Sequence, residues 1–341
     1  MRTLRQAQDL ARLLRVREFA LLTDPQMLPN EGGRRTSGDG ATFRPLIFGE
    51  ALFDYFPDGS RVLGGAPFNV AWHLRGFKAD PLMVTAVGYD EDGTEILSRM
   101  DSWGMDSSGV QVHPSRPTGR VTAHLDGDEP RYDIEPGQAY DAVGIDDLPP
   151  LESLGGTSLL YHGSLGLREA TSAATLEYLK ENLDTSVLVD VNLREPWWCP
   201  EETPERIRGA QWVKMNGEEA GLLSRRSVDT EMQLAAAGED LMTRLDMENL
   251  VLTRGADGVL ALTREGITRQ ASPQVHDTVD TVGAGDAFSA VLALGIFRDW
   301  PVARILRRAT DFAADLCRVR GAIPVGSELY RLHRKRWDHA T

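Results

Sequence analysis

Apolar and polar positions along the chain follow two rhythms, and the change between them divides it. From about Ser158 onward, short apolar runs alternate with helix-period segments. Ser158 to His162, Ser186 to Val191, Trp212 to Met215 and Asn249 to Thr253 read as strands, with a helix from about Glu169 to Leu183 between the first two. Such alternation predicts an α/β fold, a central mostly parallel sheet flanked by helices. The earlier part opens in the same way. Leu46-Ile47-Phe48-Gly49 reads as a first strand running on into residues 50–54, Pro57-Asp58-Gly59 as a turn, and Gly64-Gly65 as the opening of a helix to about Arg75. Pro81 to Val87 is a second strand, followed by a helix to Trp103 capped by Asp92 or Thr94. Then the period becomes two. Thr118 to Leu125 and Arg131 to Glu135 alternate on either side of Asp126-Gly127-Asp128, a hairpin with no intervening helix. It forms either a separate small β layer or an edge of the main sheet. Two further helices are expected, from Ala287 to about Phe297 and from Pro301 to about Arg320. Residues 1–42 stand apart as an N-terminal extension: Met1 to Arg17 carry a basic helical pattern, Pro25 and Pro29 stop it, and Ser37 to Gly40 read as a flexible linker.

Composition narrows the classes. With 41% apolar and 26% charged residues in 341, the chain has the make-up of a soluble globular protein. A net charge of −14 provides no basic field for a polyanion, which argues against a nucleic-acid partner or an anionic membrane surface. No run of about 18 apolar residues is present, so no spanning helix is expected. The N-terminus lacks the apolar core of a signal peptide. Cys199 and Cys317 form no disulfide framework and no zinc-ligand spacing, which fits a reducing, cytoplasmic setting.

Candidate chemistry concentrates in Val279-Asp280-Thr281-Val282-Gly283-Ala284-Gly285-Asp286-Ala287-Phe288. This is a small-residue turn opening directly into an apolar helix. Glycines let a ligand approach the backbone closely, and the free N–H groups of the first helical turn make an anion site suited to phosphate. Asp286 at its mouth can cap the helix, or it can face the anion and take a proton from an incoming hydroxyl. An isolated Gly-x-Gly-Asp is no more than a turn and a cap. No G-x-x-x-x-G-K-[ST] is present, which disfavours a P-loop kinase.

In its full context the stretch resembles the second signature of the ribokinase-like (pfkB) carbohydrate kinases, and Gly64, Gly65 and Asn69 match the Gly-Gly-x-x-x-Asn of their first. The resemblance spans about residues 45 to 325 and implies a ribokinase-like domain over 43–341. A small β lid is expected from about 55–65 and 111–140, covering the sugar and often forming a homodimer contact. The resemblance implies that Asp286 is the catalytic base and that Gly283, Ala284 and Gly285 hold the transferring phosphoryl group. Asp54, at the end of Gly-Glu-x-Leu-x-Asp, and Asn69 would bind sugar hydroxyls; the plainer readings are a turn cap and a surface amide. Asp190 and Arg194, from Asp-x-Asn-x-Arg, would lie close to sugar and phosphate. Asn216 and Glu219 fit Asn-x-x-Glu, tied to nucleotide and, through water, to Mg²⁺; Glu219 is otherwise a helix-start acid favoured by the helix dipole. Thr253, Gly255 and Gly258 would stand near the nucleotide. The small face Ala313, Ala314 and Cys317 would lie against adenine or serve only tight packing. Asp280 is the candidate for a monovalent cation such as K⁺.

The activity implied is ATP-dependent phosphorylation of a small sugar. The wording Gly-Gly-Ala-Pro-x-Asn-Val-Ala, Pro-Thr-Gly-x-Val and Asp-Val-Asn-Leu-Arg is more similar to fructokinases than to ribokinases. Ribose, 2-keto-3-deoxygluconate and a nucleoside are alternative acceptors, and a catalytically idle sugar-binding regulator is the alternative from another class.

Overall fold

A computed structural model describes residues 35–36, 42–124, 131–154, 156–324 and 326–339. The expected basic helix of residues 1–17, the linker at 37–40 and the turn at 126–128 lie outside the described residues.

Among the described residues fourteen strands make two sheets. In chain order they are β1 Arg35–Thr36, β2 Thr42–Phe48, β3 Leu52–Tyr55, β4 Arg61–Gly64, β5 Leu82–Gly88, β6 Val110–His113, β7 Gly119–His124, β8 Arg131–Ile134, β9 Thr157–His162, β10 Ser186–Asp190, β11 Trp212–Asn216, β12 Asn249–Thr253, β13 Val259–Thr263 and β14 Gly266–Gln270. The main sheet runs β14-β13-β12-β11-β10-β9-β2-β5-β6, with β1 paired antiparallel to β2. From β12 to β6 its neighbours are parallel, and β13 runs antiparallel to both β12 and β14. The chain builds outward from β2 in one direction through β5 and β6, then in the other from β9 to β12. That reversal leaves a crevice at the carboxyl ends of β2 and β9, where open α/β sheets collect ligands.

Alternation along the strands fills both faces. Ile47, Met83, Tyr161 and Leu188 point into one core with helices α1 (Ala66–Gly76), α6 (Ala284–Phe297), α7 (Val302–Leu316) and α8 (Glu328–Asp338). Leu46, Phe48, Val84, Leu160 and Val189 point into the other, under α3 (Ala170–Asn182), α4 (Gly217–Ser224) and α5 (Glu231–Leu245). Helix α2 (Glu91–Trp103) joins the first core through Ile96 and Met100. Burial on both faces is why the parallel strands read as continuous apolar runs. Helix α8 is pinned by aromatic packing, Phe77 on Phe312, Tyr330 and Trp337 at centroid distances of 4.7–5.2 Å. Among the described residues no helix is long and apolar enough to cross a membrane.

The second sheet has the order β4-β3-β7-β8, so the hairpin belongs to a separate layer and not to an edge of the main sheet. Its strands cover 52–55, 61–64, 119–124 and 131–134. Residues 111–113, expected in this layer, instead pair with β5 in the main sheet. The layer is latched to α2: Tyr55 Oη donates to Asp92 at 2.5 Å, and Arg61 pairs with Asp92 and Glu95. That duty explains why Asp92 is not the cap of α2. Asp90 is, accepting from Gly93 N at 2.8 Å.

Three other boundaries moved. The apolar run 46–54 is two strands in two sheets, broken at Gly49, whose φ is +144° and where a Cβ would stand 2.5 Å from Pro67 Cγ. Residues 35–36, counted with the extension, form β1. Helix α7 ends at Leu316, not near Arg320, because Cys317 turns its carbonyl to accept from the Val279 and Asp280 amides.

Candidate active site

Helix α6 starts where the small-residue turn predicts. Its N-cap is Gly283, at φ +79°, and no side chain caps it. Among the described residues the Gly285 and Asp286 amides have no backbone acceptor, so two donors at the positive end of the helix dipole remain available to an anion. The turn rests on the loop after α7: a Cβ on Gly283 would stand 2.5 Å from Ala322 Cα. Asp280 braces the same loop, accepting from Val282 N and Gly321 N at 3.0 Å each.

Asp286 does not cap the helix. Its Oδ2 accepts from Asn69 Nδ2 on α1 at 2.7 Å. Asn69 is 4% exposed and therefore not the surface amide of the plainer reading, and its Oδ1 has no partner in the fold. Burial pushes the Asp286 carboxyl up to about 6; the Asn69 hydrogen bond, Lys214 and Arg194 hold it down, and Asp190 adds to the rise. A carboxylate of this kind suits a base working near neutrality. It is competent only when ionised, so kcat/KM should fall as pH drops through about 6. Asn69→Ala removes a hydrogen bond to the charged form and should move that acid limb to higher pH, read from kcat/KM profiles of the two proteins. An unmoved limb in the variant would separate the limb from Asp286.

Facing this turn are two more desolvated carboxyls. Asp54 lies on β3, with Oδ2 3.0 Å from where a Cβ on Gly64 would be, and burial raises it to about 6 against the pull of Arg194. Glu50, in the crevice after β2, is 3% exposed. Burial raises it to about 7, opposed by the Glu50 and Ala66 amides and Arg194 and assisted by Asp286. Its Oε2 also lacks a partner. Gly65, at φ +100°, brings the chain against Glu50, since a Cβ there would meet the Glu50 carbonyl at 2.6 Å. Arg194 is exposed beside Asn192, itself at φ +42°, and its guanidinium donates to the adjacent Leu193 carbonyl at 3.2 Å. Its charge reaches Glu50, Asp54 and Asp286 alike.

Asp190 and Glu219 both bind donors of the protein itself. Asp190, expected near sugar and phosphate, is 1% exposed. Its oxygens accept from Lys214 at 2.9 and 3.2 Å, Ser289 at 2.6 Å and Tyr161 at 3.3 Å, which leaves it serving the protein's own donors. In Glu219, expected to reach Mg²⁺ through water, Oε2 accepts from Asn216 N at 2.7 Å and Oε1 from Leu193 N at 2.9 Å, which leaves each oxygen a further lone pair. Asn216 Oδ1 accepts in return from Glu219 N, a reciprocal cap on α4. This is the helix-start reading, with the added effect of fixing Leu193 and hence the backbone of Arg194. Among the described residues no group of three or more His, Cys, Asp or Glu could hold a metal.

The nucleotide candidates gather on the other side of the turn. Thr253 ends β12; Gly255 (φ +56°) and Gly258 (φ +93°) shape the following loop, and a Cβ on Gly258 would meet the Gln270 carbonyl at 2.2 Å. Ser272 Oγ donates to the Gly255 carbonyl at 2.7 Å, joining that loop to the segment leading into α6. Beyond it, Ala314 lines a cavity of about 320 Å³ with Pro273, Val275, Asp311 and Arg318. A larger surface cavity, about 590 Å³ beside Arg168 and Glu205, contains none of the sequence-predicted site residues.

Sequence reading missed Lys214, Ser289 and Glu50. A lysine in the middle of a buried strand is the one signal that could have pointed to Lys214.

Free amides at a helix start, a near-neutral carboxylate beside them and a crevice at a sheet's switch point define a phosphoryl-transfer enzyme of ribokinase-like fold. The chain belongs to the pfkB family of carbohydrate kinases, whose model matches residues 50–328. As such it is an ATP-dependent phosphotransferase. It is 26% identical over 243 residues to a putative sugar kinase of Pyrococcus horikoshii, covering 69% of this chain and 73% of that one. Over 308 residues it is 27% identical to probable fructokinase-2 of Arabidopsis thaliana, covering 82% and 91%. It spans about half the length of bifunctional HldE proteins that it also matches. Among solved structures, fructokinase of Xylella fastidiosa with bound ATP superposes with a TM-score of 0.75 at 21% identity, covering 86% and 99%.

Proposed function

We propose that the acceptor is a neutral sugar, with fructose the best candidate, and that Asp286 removes the proton from the hydroxyl that attacks the γ-phosphate of ATP. The observation that carries this is the Asp286 carboxylate, held by Asn69 between the free amides of α6 and the crevice that Glu50 and Asp54 line. Carboxyls near their ionisation points accept from, and when protonated donate to, vicinal hydroxyls. Three of them facing one arginine suit a polyhydroxyl compound better than an acid. The fructokinase-like wording and the Arabidopsis relative support fructose among such sugars.

Proton removal contributes about 10²–10⁴ in rate. The amides of Gly285 and Asp286 stabilise the charge that spreads over the phosphoryl oxygens, in the manner of other pre-organised anion holes. Mg²⁺ is expected to travel with the nucleotide phosphates and its own waters, one of which Glu219 would hold through its remaining lone pairs while it accepts from two backbone amides. Thr253, Gly255, Gly258 and Ala314 line the nucleotide side in this reading. Asp280 is the acid nearest a K⁺ site formed with loop carbonyls. The four-stranded layer acts as a lid that excludes water from the transfer. Its exposed Val62 and Tyr132 support a homodimer contact.

ADP release from MgATP across fructose, ribose, 2-keto-3-deoxygluconate, glucose and adenosine tests the reading. Fructose turnover at least about tenfold above the others in kcat/KM is expected. Preference for the acidic sugar would overturn the neutral-acceptor reading, and nucleotide binding with no turnover on any acceptor would favour the regulatory alternative.

A further inference from the structure

Strands β10 and β11 run parallel with Asp190 opposite Lys214 in register, and their side chains form an ion pair at 2.9 Å. Both are buried, Lys214 at 8% exposure. Ser289, one helical turn after Asp286 on α6, donates to the same carboxylate, and so does Tyr161 from β9. The network therefore joins three strands to the helix that carries the candidate base. Stability alone is a poor reason for it. Desolvating two charges often costs as much as their attraction returns, and apolar replacements of buried pairs are commonly neutral or better.

Position offers a better reason. A Cβ on Gly285 would stand 3.6 Å from Lys214 Nζ, and no other atom beyond its chain neighbours and helix backbone lies within 4 Å. The ammonium thus lies against the inner side of the anion-binding turn, at the residue whose free amide faces outward. Burial works to discharge it, but Asp190 and Glu219 overcome that and hold its pKa up.

We propose that Lys214 is a positioning residue for phosphoryl transfer, supplying a fixed positive charge behind the Gly283–Asp286 turn. Asp190 is the counter-ion that aims it, and Ser289 registers the pair to α6. The charge adds to the amides as negative charge builds on the phosphoryl oxygens, and it acts in a water-poor setting where a fixed charge is worth most. Gly285 matters here for what it lets the lysine reach as well as for its backbone.

The inference rests on the kinase reading, so wild-type turnover on the preferred sugar is established first; its failure would count against that reading and not against Lys214. The double variant Lys214→Met/Asp190→Asn then removes both charges while keeping an acceptor for Ser289 and Tyr161. We expect kcat to fall about 10²–10³-fold with both KM values within about threefold. Asp190→Asn alone keeps the ammonium and should retain at least about tenfold more kcat than the double variant. Equal losses in the two, or a double variant within about threefold of wild type, would overturn the proposal. If the double variant does not fold, Lys214→Arg against Lys214→Gln decides: recovery by arginine supports a charge, and equal loss excludes one.

Discussion

Asp286→Asn should abolish most turnover while making the protein harder to unfold. The substitution preserves shape and can still accept from Asn69, so the hydrogen bond now 2.7 Å long has a partner. What it removes is the proton acceptor, and kcat should fall about 10²–10⁴-fold with nucleotide binding kept. The stability effect follows from linkage. The folded-state pKa of Asp286 is raised from 3.8 to about 6, so the ionised side chain favours the folded state least above pH 6. That unfavourable contribution is absent below the unfolded value and grows as pH rises through the window between 3.8 and about 6. Asparagine has no charge to desolvate, and at pH 8 the variant should gain on the order of 2 kcal/mol. Thermal melts at pH 8 and pH 4 test this, with the gain present at the first and lost at the second. Wild-type turnover in the variant would remove Asp286 from the chemistry. An equal gain at both pH values would remove the desolvation argument.

Gly283→Val should harm fold and activity together. The new Cβ would stand 2.5 Å from Ala322 Cα and 3.1 Å from its carbonyl, both backbone atoms that cannot swing aside. The residue also has φ +79°, where a β-branched side chain costs roughly 1–3 kcal/mol before any clash is counted. Relief requires the turn to move off the loop after α7, which takes the Gly285 amide out of aim. We expect a melting temperature roughly 5–10 °C lower and kcat reduced about 10²–10³-fold. Gly209→Ala is the control. Gly209 has φ +71° and open space around it, so the substitution costs about 1–2 kcal/mol of backbone strain and leaves kcat alone. If Gly283→Val melts and turns over like the control, the contact with Ala322 does not hold the turn.

The fold class and family were legible because they depend on order and residue type. Strand–helix alternation after residue 158 gave the parallel half of the sheet, and the 279–288 stretch marked the start of α6. The hairpin was legible too, though not its full extent. What stayed hidden shares a cause: sequence tells which groups are near a strand end but not which way they point. Asp190 sits at a ligand-collecting edge, yet its direction is set by Lys214, 24 residues later, and by Ser289, 99 residues later. Within five residues Asp90, Asp92 and Thr94 were all chemically able to cap α2. The choice fell to Asp90 because Asp92 is drawn off by Arg61 and Tyr55, partners that adjoin it only once the small sheet is docked. The break at Gly49 is hidden for a similar reason, since a strand-like run carries no mark of where one sheet hands over to another.

The contact between Asn69 and Asp286 also has a consequence for how the protein is made. Its two halves lie 217 residues apart. At about 5–20 residues per second, a ribosome takes roughly 10 to 40 s to add the second after the first. Through that interval the nascent chain holds Glu50, Asp54 and Asn69 without the helix that completes them, and Gly283 in turn waits for Ala322. Substrate therefore has no assembled site to stabilise until nearly all of the described chain has emerged, and the early half must stay soluble on its own packing.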